Sequence, residues 1–240
     1  MHPSLHETSH RPWPLPYRPW LMRQTWSDLA FIHWAIDVDV LRGYIPDRLE
    51  IDTFGGQAWI GIVPFDMSDI APRGLPSIPA ISDFPEINVR TYVKYGGKAG
   101  VWFFSLDVPN PLAVVVARLA FHLPYNLARV ELERRGRDIG YRAAYSARRF
   151  EALYGPELSR TVGDPRFAHW ATERYCLYSG DGRGRLFRGE IHHRPWNAVP
   201  AKLEIVENSF LRDLSVREQH PDVLFSERIE VVVWPLEELE

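Results

Sequence analysis

A row of polar side chains on one predicted strand carries the clearest chemistry in this sequence. Residues 84–93 alternate strictly, and four polar side chains point to one side of the strand: Glu86, Asn88, Arg90 and Tyr92. A carboxylate can transfer protons, and a guanidinium can bind the carboxylate of a ligand. Such a row is either an ordinary solvated face of a sheet or the wall of an internal pocket.

The strand that follows favours the pocket. After a turn at Gly96 and Gly97, residues 101–106 are bulky on both faces, as in a strand that is buried on both sides. A polar row beside such a strand has no water to bind, so each of its polar groups needs a partner or a ligand. We therefore expect the polar row to line an internal pocket.

A second group of candidate residues belongs to a predicted helix. Residues 112–121 form a run too long for most strands, and a proline stands at the first turn, so the pattern predicts a helix. The run is apolar on all sides except at Arg118, which indicates a buried helix. His122 follows Arg118 by four residues and shares its face. Pro124 ends the helix and places Tyr125 at its exit.

The composition is that of an ordinary globular protein, with 45% hydrophobic residues, 25% charged residues and a net charge of −3. Nine tryptophans and an aromatic content of 13% suit a substantial core or an aromatic-lined cavity. The charge gives no basic surface for nucleic acid. The single cysteine, Cys176, excludes an intrachain disulfide and indicates a reducing compartment.

Neither export nor membrane insertion is predicted. The first twenty residues contain no apolar stretch of the kind found in signal peptides, and the longest charge-free apolar run, at about 108–117, is too short to cross a bilayer. We therefore expect a soluble, cytoplasmic protein with neither a nucleic acid nor a membrane as partner. Residues 1–19 contain five prolines and predict an extended or disordered arm, and residues 20–240 predict one domain.

The remaining chain predicts ten or eleven strands and two or three helices, joined mostly by hairpins. One such hairpin pairs residues 49–54 with residues 57–65 through Gly55 and Gly56. The pattern favours a mainly β (α+β) fold, in which an antiparallel barrel or cone-like sheet encloses the apolar helix. The loop at 71–85, rich in proline, glycine and serine, is either a pocket rim or a surface excursion.

The histidines give little support for a metal site. His2, His6 and His10 are spaced four apart, but the surrounding prolines oppose the helix that would align them. His192 and His193 are adjacent on a strand and therefore point to opposite faces. No glycine motif for phosphate binding is present either. We expect no metal and no cofactor.

Several separate segments resemble the uncharacterised bacterial YqjF-like family, across about residues 22–235. They are residues 26–34, 84–93, 100–106, 123–125, 173–178 and 193–196. That family is similar to a branch of the acetoacetate decarboxylase-like superfamily, which implies a cone-like β-barrel around an internal pocket. The second resemblance is carried by a Glu in a central strand, a glycine-containing hairpin, and a short helix that ends in a proline followed by the key residue.

In the decarboxylases that this sequence resembles, the residue directly after this proline is a lysine, which forms a Schiff base with the substrate. Here Tyr125 occupies the position, and the three lysines of the chain are Lys94, Lys98 and Lys202. A Schiff base needs an amine nucleophile, so this mechanism is not expected. The resemblance still implies the pocket and its acidic residue, Glu86.

Our first hypothesis is a lyase-type enzyme that acts on a small oxo or hydroxy carboxylic acid by acid–base chemistry. The catalytic residues would be Glu86, with a pKa raised by burial, and Tyr125, as donor to a developing enolate oxygen. Arg90 or Arg118 would hold the substrate carboxylate. We expect further substrate contacts from Asn88, Trp102 and His122.

The second hypothesis is a non-catalytic protein that binds a small organic ligand or a partner on the same fold. Glu86 would then form a buried structural ion pair with Arg90 or Arg118. The residues leave both hypotheses open, and with them the question of whether the protein is an enzyme. The superfamily resemblance also implies a possible homo-oligomer.

Overall fold

The computed structural model describes residues 2–214, 216 and 220–240, and β-strands dominate it. The described residues form thirteen strands: β1 (Met22–Ile36), β2 (Glu50–Ile51), β3 (Ala58–Pro72), β4 (Phe84–Tyr95), β5 (Lys98–Val108), β6 (Tyr125–Leu127), β7 (Arg129–Arg135), β8 (Asp138–Tyr145), β9 (Arg148–Pro156), β10 (Cys176–Gly180), β11 (Leu186–His192), β12 (Val199–Asn208) and β13 (Asp222–Glu238). A short 3-10 helix (Pro3–His6) precedes them, and four α-helices connect them: α1 (Val38–Arg42), α2 (Pro79–Ser82), α3 (Pro111–Phe121) and α4 (Pro165–Thr172).

Seven of the strands close into a barrel, in the order β1-β3-β4-β5-β10-β11-β13. The ring is completed by antiparallel pairing of β13 with β1, which runs from Met22 opposite Val233 to His33 opposite Asp222. Most neighbours are antiparallel, whereas β5 and β10 are parallel. Closure leaves these strands without free edges, and it defines an interior into which alternate side chains point. The predicted mainly β, barrel-like fold is therefore confirmed.

A second antiparallel layer covers one side of the barrel. The sheet continues from β13 through β12, β9 and β8 to β7. Its apolar face packs on the outer faces of β1, β3 and β4 in a core that includes Ile62, Val89, Tyr141, Phe150 and Tyr154. Because Ile87 and Val89 of β4 point outward into this core, the alternating polar residues of β4 point into the barrel.

One predicted hairpin is wrong. The short strand β2 pairs with β4 instead of β3, and only an isolated bridge between Phe54 and Gln57 remains at the Gly55–Gly56 turn. The reason is that β3 is already paired with β1 on one edge and with β4 on the other. The segment before β3 therefore finds no free edge on it.

The predicted helix at 112–121 is confirmed as α3, but the prediction that the barrel encloses it is wrong. Only Val114 and Phe121 of this helix are buried, whereas Leu119 is 76% exposed. A helix with its side chains is about 10–12 Å wide, and a barrel of about eight strands is only wide enough for side chains. The helix therefore lies outside the barrel. No helix in the described residues is both long and apolar enough to cross a membrane.

The segment before β1 is ordered and packs on β11. Arg11 is buried, and its guanidinium donates to the Glu190 carboxylate at 3.0 Å. The Trp13 indole donates to the same carboxylate at 2.7 Å. A ring nitrogen of His192 lies 2.8 Å from the backbone oxygen of Ser4. Buried polar contacts therefore join this segment to the barrel.

The position of α3 predicts that two of its large apolar residues contribute very differently to stability. Leu119→Ala should change the free energy of unfolding by less than about 0.5 kcal/mol, because the side chain is exposed and alanine favours a helix. Phe121→Ala should cost about 3–5 kcal/mol, because Phe121 packs in the barrel core. Urea unfolding of both variants measures the difference. A large loss with Leu119→Ala would mean that this face of α3 is covered in the folded protein.

Candidate functional site

A cavity of about 340 Å³ occupies the interior of the barrel, and we call it the central cavity. Its wall is mostly apolar, with polar side chains at a limited set of positions: Gln24, Ser82, Glu86, Asn88, Arg90, Tyr125, Thr172, Arg174 and His193. A concave apolar wall with a few convergent polar groups is typical of a small-molecule site. Pro72, Ile81, Leu112 and Val116 line the cavity and are also exposed, so they mark its mouth. The loop at 71–85 therefore forms part of the rim.

Four of the residues singled out in the sequence come together in this cavity. Glu86, Asn88 and Arg90 enter it from β4, and Tyr125 enters it from β6. β6 is a three-residue strand that pairs in parallel with β5, where Tyr125 lies opposite Leu106. The helix exit and the polar strand therefore meet in one place, as the sequence predicts.

Three other candidates lie apart from the central cavity. Trp102, Arg118 and His122 line an open cleft on the outside of the barrel, which we call the outer cleft. Trp102 faces away from the interior because it alternates with Val101, which lines the central cavity. The Arg118 Nε donates to the backbone oxygen of Tyr125 at 2.6 Å. The substrate contacts expected of these three residues therefore have no support from their position.

Glu86 and Tyr125 form a buried hydrogen-bonded pair. The Tyr125 hydroxyl donates to Glu86 Oε2 at 2.8 Å, and Glu86 is only 2% exposed. Burial raises the pKa of Glu86 to about 7; hydrogen bonds from Tyr125 and Asn88 act in the opposite direction, and the nearby Asp107 carboxylate adds to the rise. Burial and the Glu86 charge raise the pKa of Tyr125 well above its usual range, so this phenol stays neutral. A carboxyl group with a pKa near 7 can both take up and release protons at neutral pH.

Arg90 is buried beside the same cavity without a carboxylate partner in the described part of the chain. Its Nη2 lies 3.4 Å from the Tyr92 hydroxyl and 3.4 Å from the Ala171 carbonyl, and its Nε has no hydrogen-bond partner. The guanidinium carbon lies 5.3 Å from the centre of the Phe31 ring. The buried ion pair between Glu86 and Arg90 or Arg118 that our second hypothesis expected is therefore wrong.

The two other buried arginines in the described part of the chain show what Arg90 lacks. Arg11 pairs with Glu190 at 3.0 Å, and Arg174 pairs with Asp52 at 2.5 Å. Buried charges in proteins are normally paired, because an isolated charge in a medium of low polarity is costly. Arg90 alone among these three arginines keeps a guanidinium that faces a cavity and has no counter-charge.

Sequence reasoning missed two residues at the deep end of the site. Arg174 lines the central cavity, and its guanidinium also stacks on Trp170 at 4.5 Å. His33 is fully buried beside Arg90 and forms a hydrogen bond with the Tyr92 hydroxyl. Burial, with Arg90 and Arg174 nearby, holds the pKa of His33 well below its usual range, so the ring is neutral. For both residues, the signal in the sequence was a polar or charged side chain next to strongly apolar strand residues, which indicates a buried polar group.

Gly61 on β3 makes room for this arrangement. A Cβ atom added there would lie 3.2 Å from the His33 ring and 3.7 Å from the Arg90 side chain. The first distance is tighter than most Cβ contacts in proteins, so a side chain at this position would require the His33 ring to shift by a few tenths of an ångström. The absence of a side chain at Gly61 thus leaves room between β1 and β4 for both His33 and Arg90.

None of the three lysines lines the central cavity. Lys94 pairs with Asp52 at 2.6 Å, Lys98 with Glu190 at 2.8 Å, and Lys202 with Asp138 at 2.9 Å. Each amine is therefore engaged in an ion pair away from Tyr125. No lysine is placed to attack a carbonyl group bound in the cavity.

The two adjacent histidines on β11 and just after it, His192 and His193, contact the backbone. His192 Nε2 lies 2.8 Å from the Ser4 carbonyl oxygen, and His193 Nδ1 lies 2.6 Å from the Arg194 carbonyl oxygen. Within residues 2–214, 216 and 220–240, no group of three or more histidine, cysteine or acidic side chains is arranged to hold a metal ion.

The raised pKa of Glu86 predicts a pH-dependent contribution to stability. The carboxyl binds its proton more tightly in the folded state, with a pKa of about 7, than in the unfolded chain, where the ordinary value is 4.5. This contribution is complete below pH 4.5 and is lost as the pH rises through 7. Between about pH 5 and pH 8, wild type should therefore lose up to about 3 kcal/mol more unfolding free energy than Glu86→Gln, which cannot ionise.

Urea unfolding across this pH range measures the difference between the two proteins. Glu131→Gln, on an exposed position of β7, is the matched control and should follow wild type. If the wild-type and Glu86→Gln curves run parallel, the pKa of Glu86 is not raised in the folded protein.

Comparison with known proteins places the chain in a family. Residues 23–230 match the DUF2071 family of uncharacterized conserved proteins. The chain is 42% identical over 223 residues to the uncharacterized protein YqjF of Bacillus subtilis, covering 90% of this chain and 92% of that protein.

Solved structures share the fold at low identity. An acetoacetate decarboxylase from Legionella pneumophila superposes with a TM-score of 0.67 at 15% identity, covering 97% of this chain and 93% of that one. The enduracididine biosynthesis enzyme MppR, complexed with pyruvate, superposes with a TM-score of 0.65 at 14% identity, covering 94% and 92%. The protein has an acetoacetate decarboxylase-like fold and belongs to the DUF2071 family of uncharacterized conserved proteins.

Proposed function

We propose that this protein is a lyase-type enzyme that acts on an oxo or hydroxy carboxylic acid in the central cavity. The observation that carries the proposal is Arg90, a buried guanidinium at the cavity wall with no carboxylate partner among the described residues. Arginine keeps its charge in proteins, so burial without a counter-charge is costly. A bound carboxylate supplies the missing partner through short, charge-assisted hydrogen bonds.

In this proposal Glu86 performs the proton transfer. Its carboxyl lines the same cavity and has a pKa of about 7. As a base it removes a proton from a carbon or hydroxyl group of the substrate, and as an acid it returns one. The hydroxyl of Tyr125 donates to Glu86 in the structure. We therefore assign Tyr125 the role of a positioning residue, in place of the direct donation to an enolate oxygen expected from the sequence.

The positions of the lysines and one solved structure with the same fold support this choice of chemistry. Because no lysine reaches the cavity, the reaction has to proceed without a Schiff base. MppR, which has the same fold, is described in complex with pyruvate, a 2-oxo acid. That complex supports a carboxylic acid as the kind of ligand that this fold accommodates.

A second candidate function is carboxylate binding without chemistry. It is favoured by the spacing on β4, where Glu86 and Arg90 are separated by four residues, or roughly 13 Å between Cα atoms. A very small acid that is anchored at Arg90 would not extend to Glu86. The two candidates share the ligand class and differ in whether Glu86 exchanges protons with the ligand.

Carboxylate binding should depend on Arg90. An oxo, hydroxy or unsaturated carboxylic acid at about 100 times its dissociation constant should add ~2.7 kcal/mol to the free energy of unfolding. A thermal-shift screen detects this gain, which should disappear in Arg90→Gln. Arg129→Gln is the control, because that arginine is exposed on β7 and does not line the cavity, and it should respond like wild type. A screen without any stabilising acid, or a response that survives in Arg90→Gln, would contradict the proposal.

Proton transfer should depend on Glu86. For each acid that binds, exchange of its carbon-bound protons with D₂O is followed by NMR, together with any product. Glu86→Gln should retain binding and lose exchange. Tyr125→Phe should shift the pH dependence of exchange to higher pH, because the Tyr125 hydrogen bond lowers the pKa of Glu86 in wild type and its removal raises that pKa. Unchanged exchange in Glu86→Gln would exclude Glu86 as the base. If wild type binds acids without exchange or product, the non-catalytic candidate is favoured.

A further inference from the structure

The central cavity has two chemically different ends. At the deep end the wall carries the buried guanidinium of Arg90, together with Arg174, which pairs with Asp52. At the other end the cavity opens between α2 and α3, where Ile81, Leu112 and Val116 are about half exposed. Among the described lining residues there is no charged side chain on the mouth side of Glu86.

The polar groups between these ends follow the length of β4. Glu86, Asn88 and Arg90 are at alternate positions, so their Cα atoms are spaced at steps of roughly 6–7 Å along the strand. Arg90 marks the deep end, and Glu86 with Tyr125 lies between it and the mouth. The Asn88 Oδ1 has no hydrogen-bond partner and lies midway. A ligand that contacts Arg90 and Glu86 together must therefore have its carboxylate several bonds away from its reacting group.

The wall between Glu86 and the mouth is built for an apolar group. It is formed by Met67, Phe84, Ala113, Ala117 and Phe121, three of which come from α3. An apolar cavity of roughly 150 Å³ accommodates a benzene ring. The central cavity, at about 340 Å³, is therefore large enough for an acidic head group and a ring or alkyl chain together.

We propose that the substrate is an elongated monocarboxylic acid with an apolar tail. Its carboxylate pairs with Arg90, its oxo or hydroxy group lies at Glu86, Asn88 and Tyr125, and its alkyl or aryl tail runs past α3 to the mouth. A second carboxylate at the tail end would meet no cation, because none of the described lining residues on the mouth side of Glu86 is charged. This substrate class rests on the proposed function and narrows it, since an acid as short as pyruvate does not fill the cavity.

The first test is a series of straight-chain carboxylates from acetate to octanoate, with primary alcohols of the same lengths, measured by isothermal titration calorimetry. Affinity for the acids should rise about fourfold with each added methylene while the tail fills the cavity. Ala117→Phe places a large side chain on the cavity side of α3 and should weaken the longer acids at least tenfold, with acetate unchanged. Ala120→Phe is the matched control, because Ala120 is exposed on the same helix and does not line the cavity.

The outcomes separate this inference from the proposed function. The elongated substrate is supported if affinity rises with acid length and this rise is lost in Ala117→Phe but kept in Ala120→Phe. Equal affinity for all acids, lost in Arg90→Gln, overturns the apolar tail and leaves the carboxylate site intact. Alcohols that bind as tightly as acids, unaffected by Arg90→Gln, support the apolar tail and overturn the carboxylate anchor of the proposed function. No binding by any acid overturns both.

Discussion

The closure of the barrel around β4 forces charged side chains away from water, and the candidate site depends on that constraint. β4 is paired on both edges and covered on its outer face, so Glu86 and Arg90 can point only into the interior. Burial disfavours both charges, but the two groups respond differently. The carboxyl takes up a proton more readily, with a pKa of about 7. The guanidinium cannot lose its proton, so it remains a buried cation that favours an anion in the cavity.

The surroundings of Arg90 keep its charge available to a ligand. Its nearest polar neighbours are a hydroxyl and a carbonyl group, neither of which neutralises a cation. His33 beside it is neutral because of burial, so it neither pairs with nor strongly repels the guanidinium. Arg11 and Arg174, by contrast, are paired with carboxylates and hold the N-terminal arm and the region of α4 to the barrel. The same residue type thus stabilises the structure at two positions and forms a candidate binding site at a third.

The sequence predicts the barrel and the polar wall of the cavity because local alternation determines both. The polar row of β4, next to a strand without a wet face, is enough to place Glu86, Asn88 and Arg90 inside. The position of α3 outside the barrel could not be predicted, since a helix that covers a cavity mouth is as apolar as one inside a core. Trp102 was assigned to the wrong side because both faces of β5 are bulky and give no alternation. Arg174 was missed because its partner, Asp52, is 122 residues away in the chain.

The phenol at position 125 is central to the proposed acid–base mechanism on this fold. A lysine there, as the superfamily resemblance implies for the decarboxylases, would place an amine next to Glu86. In its protonated form, an amine at that distance lowers the pKa of a carboxyl group and so favours the anion of Glu86. Tyr125 is neutral and supplies only a hydrogen bond, which burial outweighs, and the pKa of Glu86 rises to about 7. In the proposed mechanism, a phenol in place of an amine at this position therefore provides no nucleophile and leaves Glu86 with a pKa of about 7, at which it can transfer protons at neutral pH.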